Sequence, residues 1–228
     1  MATLAVSGAS GKTGWRVVEE ALRRGHHVKA LVRPNSELPA GLDGAEVVRL
    51  ELGDAPALQS ALRDCDSLVI ATGARPSVDL AGPLKVDAFG VQNQINACRE
   101  VGLKRVVLVS SLCAGRWLHP LNLFGLILVW KRLGERWLEG SGLDWTIVRP
   151  GGLSEREDRL DQEGVVFSHA DQQESQSIPR RLVAQVCLDA LDTPAASGRI
   201  IEVTSRDDQP PVSLESWLLG EGIVPSSP

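Results

Sequence analysis

The sequence predicts a single α/β domain built on a doubly wound, mainly parallel sheet of six to seven strands. Short β-branched runs alternate with helical patterns along the chain, which is the pattern of repeated βαβ units. A three-glycine turn sits at the first strand-to-helix crossover, and a length of 228 residues suits one large α/β core.

Taken in order, residues 3–6, 28–32, 46–50, 67–71, 105–110 and 145–148 read as strands. Residues 13–24, 56–63, 83–101 and 121–139 read as the helices between them. A polar stretch at 155–177 follows, then a helix at 179–191, a last strand at 199–203 and a short helix at 213–219. Ser177 ahead of Pro179 has the hydroxyl and early proline of a helix start, and Gly140 with Gly142 marks the end of the long helix before it. The domain is expected to span 1–222, with 223–228 as a flexible tail.

Composition narrows the classes of function. A net charge of −5 argues against a broad electropositive surface, so nucleic acid is not an expected partner. Cys65, Cys98, Cys113 and Cys187 lie far apart, with no CxxC pair and no metal-ligand spacing, so they read as reduced thiols and no metal is expected. The N-terminus runs straight into a strand, and the longest apolar run, 121–130, is about half of the ~20 residues needed to cross a bilayer. Together these features predict a cytoplasmic protein without a transmembrane segment.

Gly8, Gly11 and Gly14 lie where a tight turn must let backbone amides and a helix N-terminus approach a diphosphate, which points to a Rossmann dinucleotide fold. Gly11-Lys12-Thr13 also ends like a nucleoside-triphosphate loop. That loop needs a glycine five positions earlier, where Val6 stands inside the strand, so this reading fails. At the end of the second strand an NAD site places an acid on the ribose hydroxyls, and here the residue is Arg33. A guanidinium there can hold a 2′-phosphate, so NADP(H) is the expected cofactor, with Lys12 adding charge near the phosphates. A solvated surface arginine is the alternative.

From the glycine turn onward the chain resembles the atypical short-chain dehydrogenase/reductase family, in its compact NAD(P)H-binding branch of flavin and biliverdin reductase-like proteins. The resemblance rests on Gly8-Ala9-Ser10-Gly11-Lys12-Thr13-Gly14, Leu31-Val32-Arg33, Gly53-Asp54, Ala71-Thr72-Gly73-Ala74, Val109-Ser110-Ser111, Trp130-Lys131-Arg132 and Val148-Arg149-Pro150-Gly151-Gly152-Leu153. It implies that Asp54 lies near the adenine, that Thr72, Gly73 and Ala74 line the ribose, and that Ser110 or Ser111 stands beside the nicotinamide. It also places Pro150, Gly151 and Gly152 against the nicotinamide ribose. Each position has a plainer reading: Asp54 as the cap of the helix that follows, the serines as backbone partners at a strand end, and 150–152 as a simple turn.

The wider family pairs a tyrosine acid with a lysine four residues later. Lys131 matches that lysine, but Ile127 occupies the tyrosine position and the chain contains no tyrosine. Proton transfer from a phenol is therefore excluded. Two functions remain: a reductase passing hydride from NADPH to a conjugated, partly apolar acceptor of flavin, quinone or tetrapyrrole type, or a non-catalytic NADP-binding redox sensor or assembly factor with a protein partner. In the first, Ser110, Ser111 and Lys131 position the reactants. Lys131 could instead be a surface ion pair with Glu135 one turn later. His119 and Cys113 are the other proton donors nearby. The apolar segment from Trp117 to Trp130 is apolar on more than one helical face, so it packs in the core, with its first turn available to wall an acceptor pocket.

Overall fold

The computed structural model describes residues 2–73, 82–114, 116, 120–123, 126–173, 176–207 and 209–220. β1 (Thr3–Ser7) passes through the glycine turn to α1 (Gly14–Arg23), then to β2 (His27–Val32), β3 (Glu46–Arg49), α2 (Ala55–Leu62) and β4 (Ser67–Ile70). A π-helical segment, Leu84–Gly90, runs into α3 (Val91–Val101), followed by β5 (Arg105–Val109), α4 (Ile127–Glu139), β6 (Asp144–Pro150) and β7 (Gly152–Ser154). β8 (Gly164–His169), β9 (Ser177–Pro179), α5 (Arg180–Asp192), β10 (Arg199–Arg206) and α6 (Leu214–Gly220) complete the chain order.

The main sheet has eight strands in the order β3-β2-β1-β4-β5-β6-β10-β8. Its pairings are parallel apart from β8, which runs antiparallel to β10. β7 and β9 form a small parallel pair of their own. Strand alternation divides the core between the two faces. Leu4 and Val6 point toward Val17, Val18 and Ala21 of α1 and Val183 and Val186 of α5. Ala5, Leu68 and Ile70 point toward Leu58 and Leu62 of α2 and Ile95 and Cys98 of α3. Strand order reverses between β1 and β4, so the ligand crevice of an open α/β sheet lies at their carboxyl ends.

Three expectations need correction. The eighth strand, β8, lies within the stretch read as polar. It is an edge strand whose residues are mostly half-buried, so it shows no clear alternation of apolar and polar positions. Ser177 does not cap a helix: it opens β9, and α5 follows Pro179 with no side-chain cap. The helix expected over 121–139 is broken. Pro120–Leu123 is a 3-10 turn, Leu126 is left-handed at φ 56°, and α4 starts at Ile127. Asn122, a polar residue within the apolar run, accepts the Leu128 amide at 3.0 Å and so satisfies one of the free donors of α4.

The four cysteines are buried and form no disulfide with one another, and burial pushes the Cys98 and Cys187 thiols up to about 12. Among the described residues no helix is long and apolar enough to cross a membrane. No group of three or more His, Cys, Asp or Glu side chains among them could hold a metal ion.

Candidate functional site

The glycine turn is shaped by two contacts that leave no room for side chains. Gly8 has φ +74°, and a Cβ there would lie 2.8 Å from the Ala71 carbonyl oxygen at the end of β4. A Cβ on Gly14 would lie 2.1 Å from the Gly8 carbonyl oxygen, so α1 can start this close to β1 only with glycine at that point. The Gly11 amide closes the turn on Gly8 O at 2.8 Å. Thr13 occupies the N-cap position, yet its hydroxyl makes no capping bond. Ser10 lies in the same turn. The first amides of α1 have no acceptor within the helix, so turn and helix together can receive a diphosphate without a side chain in the way.

The strand ends supply hydroxyls. Register sets Ile70 opposite Leu108, so Thr72 and Ser110 leave β4 and β5 at the same level. Among the described residues, Thr72 Oγ1, Ser110 Oγ and, one strand away, Ser7 Oγ are buried without a hydrogen-bond partner. Buried hydroxyls are nearly always partnered, so three at one edge of the sheet fit a polar ligand or water there. Ser111, half-buried, follows Ser110, whose amide donates to Val148 O at 2.8 Å.

Lys131 joins this edge from α4. Its Nζ donates to Asp87 Oδ1 at 2.8 Å, and a Cβ on Gly73 would lie 3.8 Å from each of those atoms. The pairing with Glu135 considered from the sequence does not form: Glu135 instead accepts from Arg132 and Arg149. Asp87 comes from the π-helical segment and is only 2% exposed. Ile127 packs beside Leu112 and Cys113, which leaves an aliphatic side chain where the family carries its phenol.

The 150–152 segment is less of a turn than expected. Pro150 ends β6 and Gly152 begins β7. A Cβ on Gly151 would lie 2.1 Å from Gln176 O, so this glycine is required for the close approach of the 176 backbone, whatever it does for a ligand. Beyond β7 the chain returns to the glycine turn. Glu155 pairs with Lys12, whose ammonium holds that carboxyl below its ordinary range. Glu157 pairs with Arg16 and Arg181. Burial alone would raise its carboxyl, but the two arginines hold it below normal.

Beneath this edge lies a buried charge network. Arg149, 1% exposed, donates from Nε and Nη2 to Glu135 at 2.9 and 2.7 Å and from Nη1 to Asp171 at 3.0 Å. Glu202, fully buried, lies 3.6 Å from Nη1 and accepts the amides of Asp171, Gln172 and Gln173. Desolvation works against the guanidinium charge, but the surrounding carboxylates outweigh it and raise the Arg149 pKa.

Arg33 and Asp54 lie at the β2–β3 end, away from the serines and the lysine. Arg33 is exposed just after β2. Asp54 caps α2 by accepting the Ala57 amide at 3.0 Å. Asp54→Ala is therefore expected to cost about 1 kcal/mol of stability in chemical denaturation. If the aspartate also serves the adenine, the same variant weakens cofactor affinity in a titration; an unchanged affinity leaves it the cap alone.

Ala74 and His119 lie outside the described residues, as do Trp117, Leu118 and Phe124 of the apolar segment and the 223–228 tail. Ser7, Asp87 and Glu155 were missed from sequence. Asp87 gave a weak signal, since a lone acid between Val86 and Ala88 in a helical pattern suggests a buried charge with a partner. Ser7 and Glu155 gave none.

Comparison with known proteins supplies the family. Residues 8–194 match the family described as NAD(P)H-binding. A chloroplastic protein of Arabidopsis thaliana is 37% identical over 219 residues, covering 90% of this chain and 77% of the relative. Sanguinarine reductase of Eschscholzia californica is 28% identical, covering 90% of each chain. Protein TIC 62 of Pisum sativum, also chloroplastic, is 31% identical over 93% of this chain and 45% of its own length. A solved Bacillus halodurans structure described as an NAD-dependent epimerase/dehydratase superposes with a TM-score of 0.83 at 28% identity, covering 96% of this chain and all of that one. The chloroplastic relatives overturn the cytoplasmic expectation: cysteine spacing and the lack of a long apolar run carry no address. The glycine cradle, the strand order and the match over 8–194 lead to one assignment, that the chain belongs to the NAD(P)H-binding family, in the atypical short-chain dehydrogenase/reductase branch.

Proposed function

We propose that this protein is an NADPH-dependent reductase for a flat, conjugated, partly apolar acceptor of flavin, quinone or tetrapyrrole type. The observation that carries the reading is the edge formed by Thr72, Ser110 and the Lys131–Asp87 pair, where hydrogen-bond donors and a fixed ammonium meet with no phenol among them. The nicotinamide, when bound, supplies the hydride. The residues of the chain bind and orient: the turn at Gly8, Ser10, Gly11, Lys12, Thr13 and Gly14 takes the diphosphate, Arg33 the 2′-phosphate, and Thr72, Gly73 and the 150–152 segment the riboses. Lys131, held by Asp87, stands beside the ribose hydroxyls, while Ser110 and Ser111 can donate to an oxygen or nitrogen of the acceptor. Acceptors of this kind delocalise the incoming electron pair, so water suffices as the proton source. The relative named sanguinarine reductase supports a reductive role.

The test is to mix the protein with NADPH and a panel of flavins, quinones and tetrapyrroles while following the reduced-nicotinamide absorbance. At least one acceptor should be consumed, and Gly11→Asp should abolish the turnover by placing a carboxylate where a Cβ already lies 3.0 Å from Gly8 O. Lys131→Met should lower kcat/KM by about 100-fold, within the range of a single positioned group. Tight NADPH binding with no acceptor consumed would favour a second reading, a redox-sensing or assembly role with a protein partner, which the isoleucine at position 127 supports.

A further inference from the structure

The turn after β2 contains a second guanidinium that the sequence did not single out. Arg49 ends β3 and is in register with Val32, the last residue of β2. Val47 packs on the α1 side of the sheet, and Val48 and Leu50 on the opposite side, so alternation turns Arg49 to the α1 side. There its Nη1 donates to the carbonyl oxygens of Pro34 at 2.5 Å, Ser36 at 3.1 Å and Arg33 at 3.4 Å. The Ser36 amide closes the same turn on Arg33 O at 3.0 Å, with Pro34 presetting φ at the second position.

The charge of this turn is unbalanced. Arg33 and Arg49 are both exposed, and among the described residues neither has a carboxylate within ion-pair distance, whereas Arg16, Arg24, Arg105 and Arg149 do. Ser36 Oγ, in the same turn, is buried with no hydrogen-bond partner among the described residues. A dianion bound at this turn would meet the positive charge of both residues and accept charge-assisted hydrogen bonds from them.

We infer that Arg49 is a specificity-determining residue for the phosphoryl group on the adenosine 2′ position. It fixes the backbone from which Arg33 projects and adds the second positive charge. This rests on the reading of Arg33 as the 2′-phosphate ligand, so the two must be tested together. Dissociation constants for NADPH and NADH are measured by titration for the unmodified chain, Arg33→Ala, Arg49→Gln and the double variant. Arg49→Gln is expected to weaken NADPH about tenfold and NADH less than about twofold, the loss of one charge-assisted contact. The double variant should lose less than the product of the single losses, because Arg49 acts in part through Arg33. Equal losses for the two dinucleotides, or none, would overturn the inference, since damage to the fold weakens both alike. If Arg33→Ala leaves the NADPH preference unmoved, the 2′-phosphate reading itself fails. If Arg33→Ala narrows it and Arg49→Gln does not, the role of Arg49 alone is refuted.

Discussion

Arg149→Met is expected to remove about 3–5 kcal/mol of folding stability, the range for breaking a buried pair by deleting one partner. Two fully buried carboxylates, Glu135 and Glu202, lose their cation in that variant, and neither can reach water without moving. Glu202 keeps three backbone amides, but Glu135 loses both of its 2.7–2.9 Å bonds to Arg149 and, among the described residues, retains only Arg132, 26% exposed. In a chain of this length the melting temperature should fall by roughly 10 °C. Urea denaturation supplies the free energy directly. Arg149→Met combined with Glu135→Leu should recover much of the loss, because a buried ion pair replaced whole by apolar groups is often neutral. A single-variant loss below about 1 kcal/mol would mean that water already reaches the network.

The second large effect is on binding. Gly14→Ala is expected to weaken NADPH by about 100-fold, the scale of a displacement of about an ångström in a site that positions its ligand. The added methyl would lie 2.1 Å from Gly8 O, 2.7 Å from Gly8 C and 2.9 Å from Ala9 Cα, all backbone atoms that no rotamer change can clear. α1 must therefore move away from β1, and its N-terminal amides move with it. Overpacking of this kind also costs about 1–3 kcal/mol of stability. Gly53→Ala is the matched control, since nothing lies within 4 Å of a Cβ there. Calorimetric titration that finds the two variants alike in affinity would remove the glycine turn from the site.

Much of the fold was legible because burial in a parallel sheet leaves short β-branched runs, and amphipathic helices repeat at their own period. The strands through β6 and the helices α1, α2 and α5 fall within a residue or two of their expected ends. β8 escaped notice as an edge strand, and the break before α4 escaped because apolar residues continue across the left-handed Leu126. Of the site, the glycine turn could be recognised because a backbone requirement fixes residue type. Side-chain partnerships could not, because they join positions distant in sequence: Lys131 to Asp87, Lys12 to Glu155 and Arg149 to Glu202.

By itself, then, the sequence determined the sheet, the crossover that can bind a dinucleotide and the absence of a phenol, since each depends on residue type at local spacing. Only the tertiary structure decided which charges meet. It turned Lys131 from Glu135 to Asp87 and set Arg49 under the turn that carries Arg33. An ion pair forms where folding brings two groups within a few ångströms and excludes water, and neither distance nor hydration is written in the order of residues.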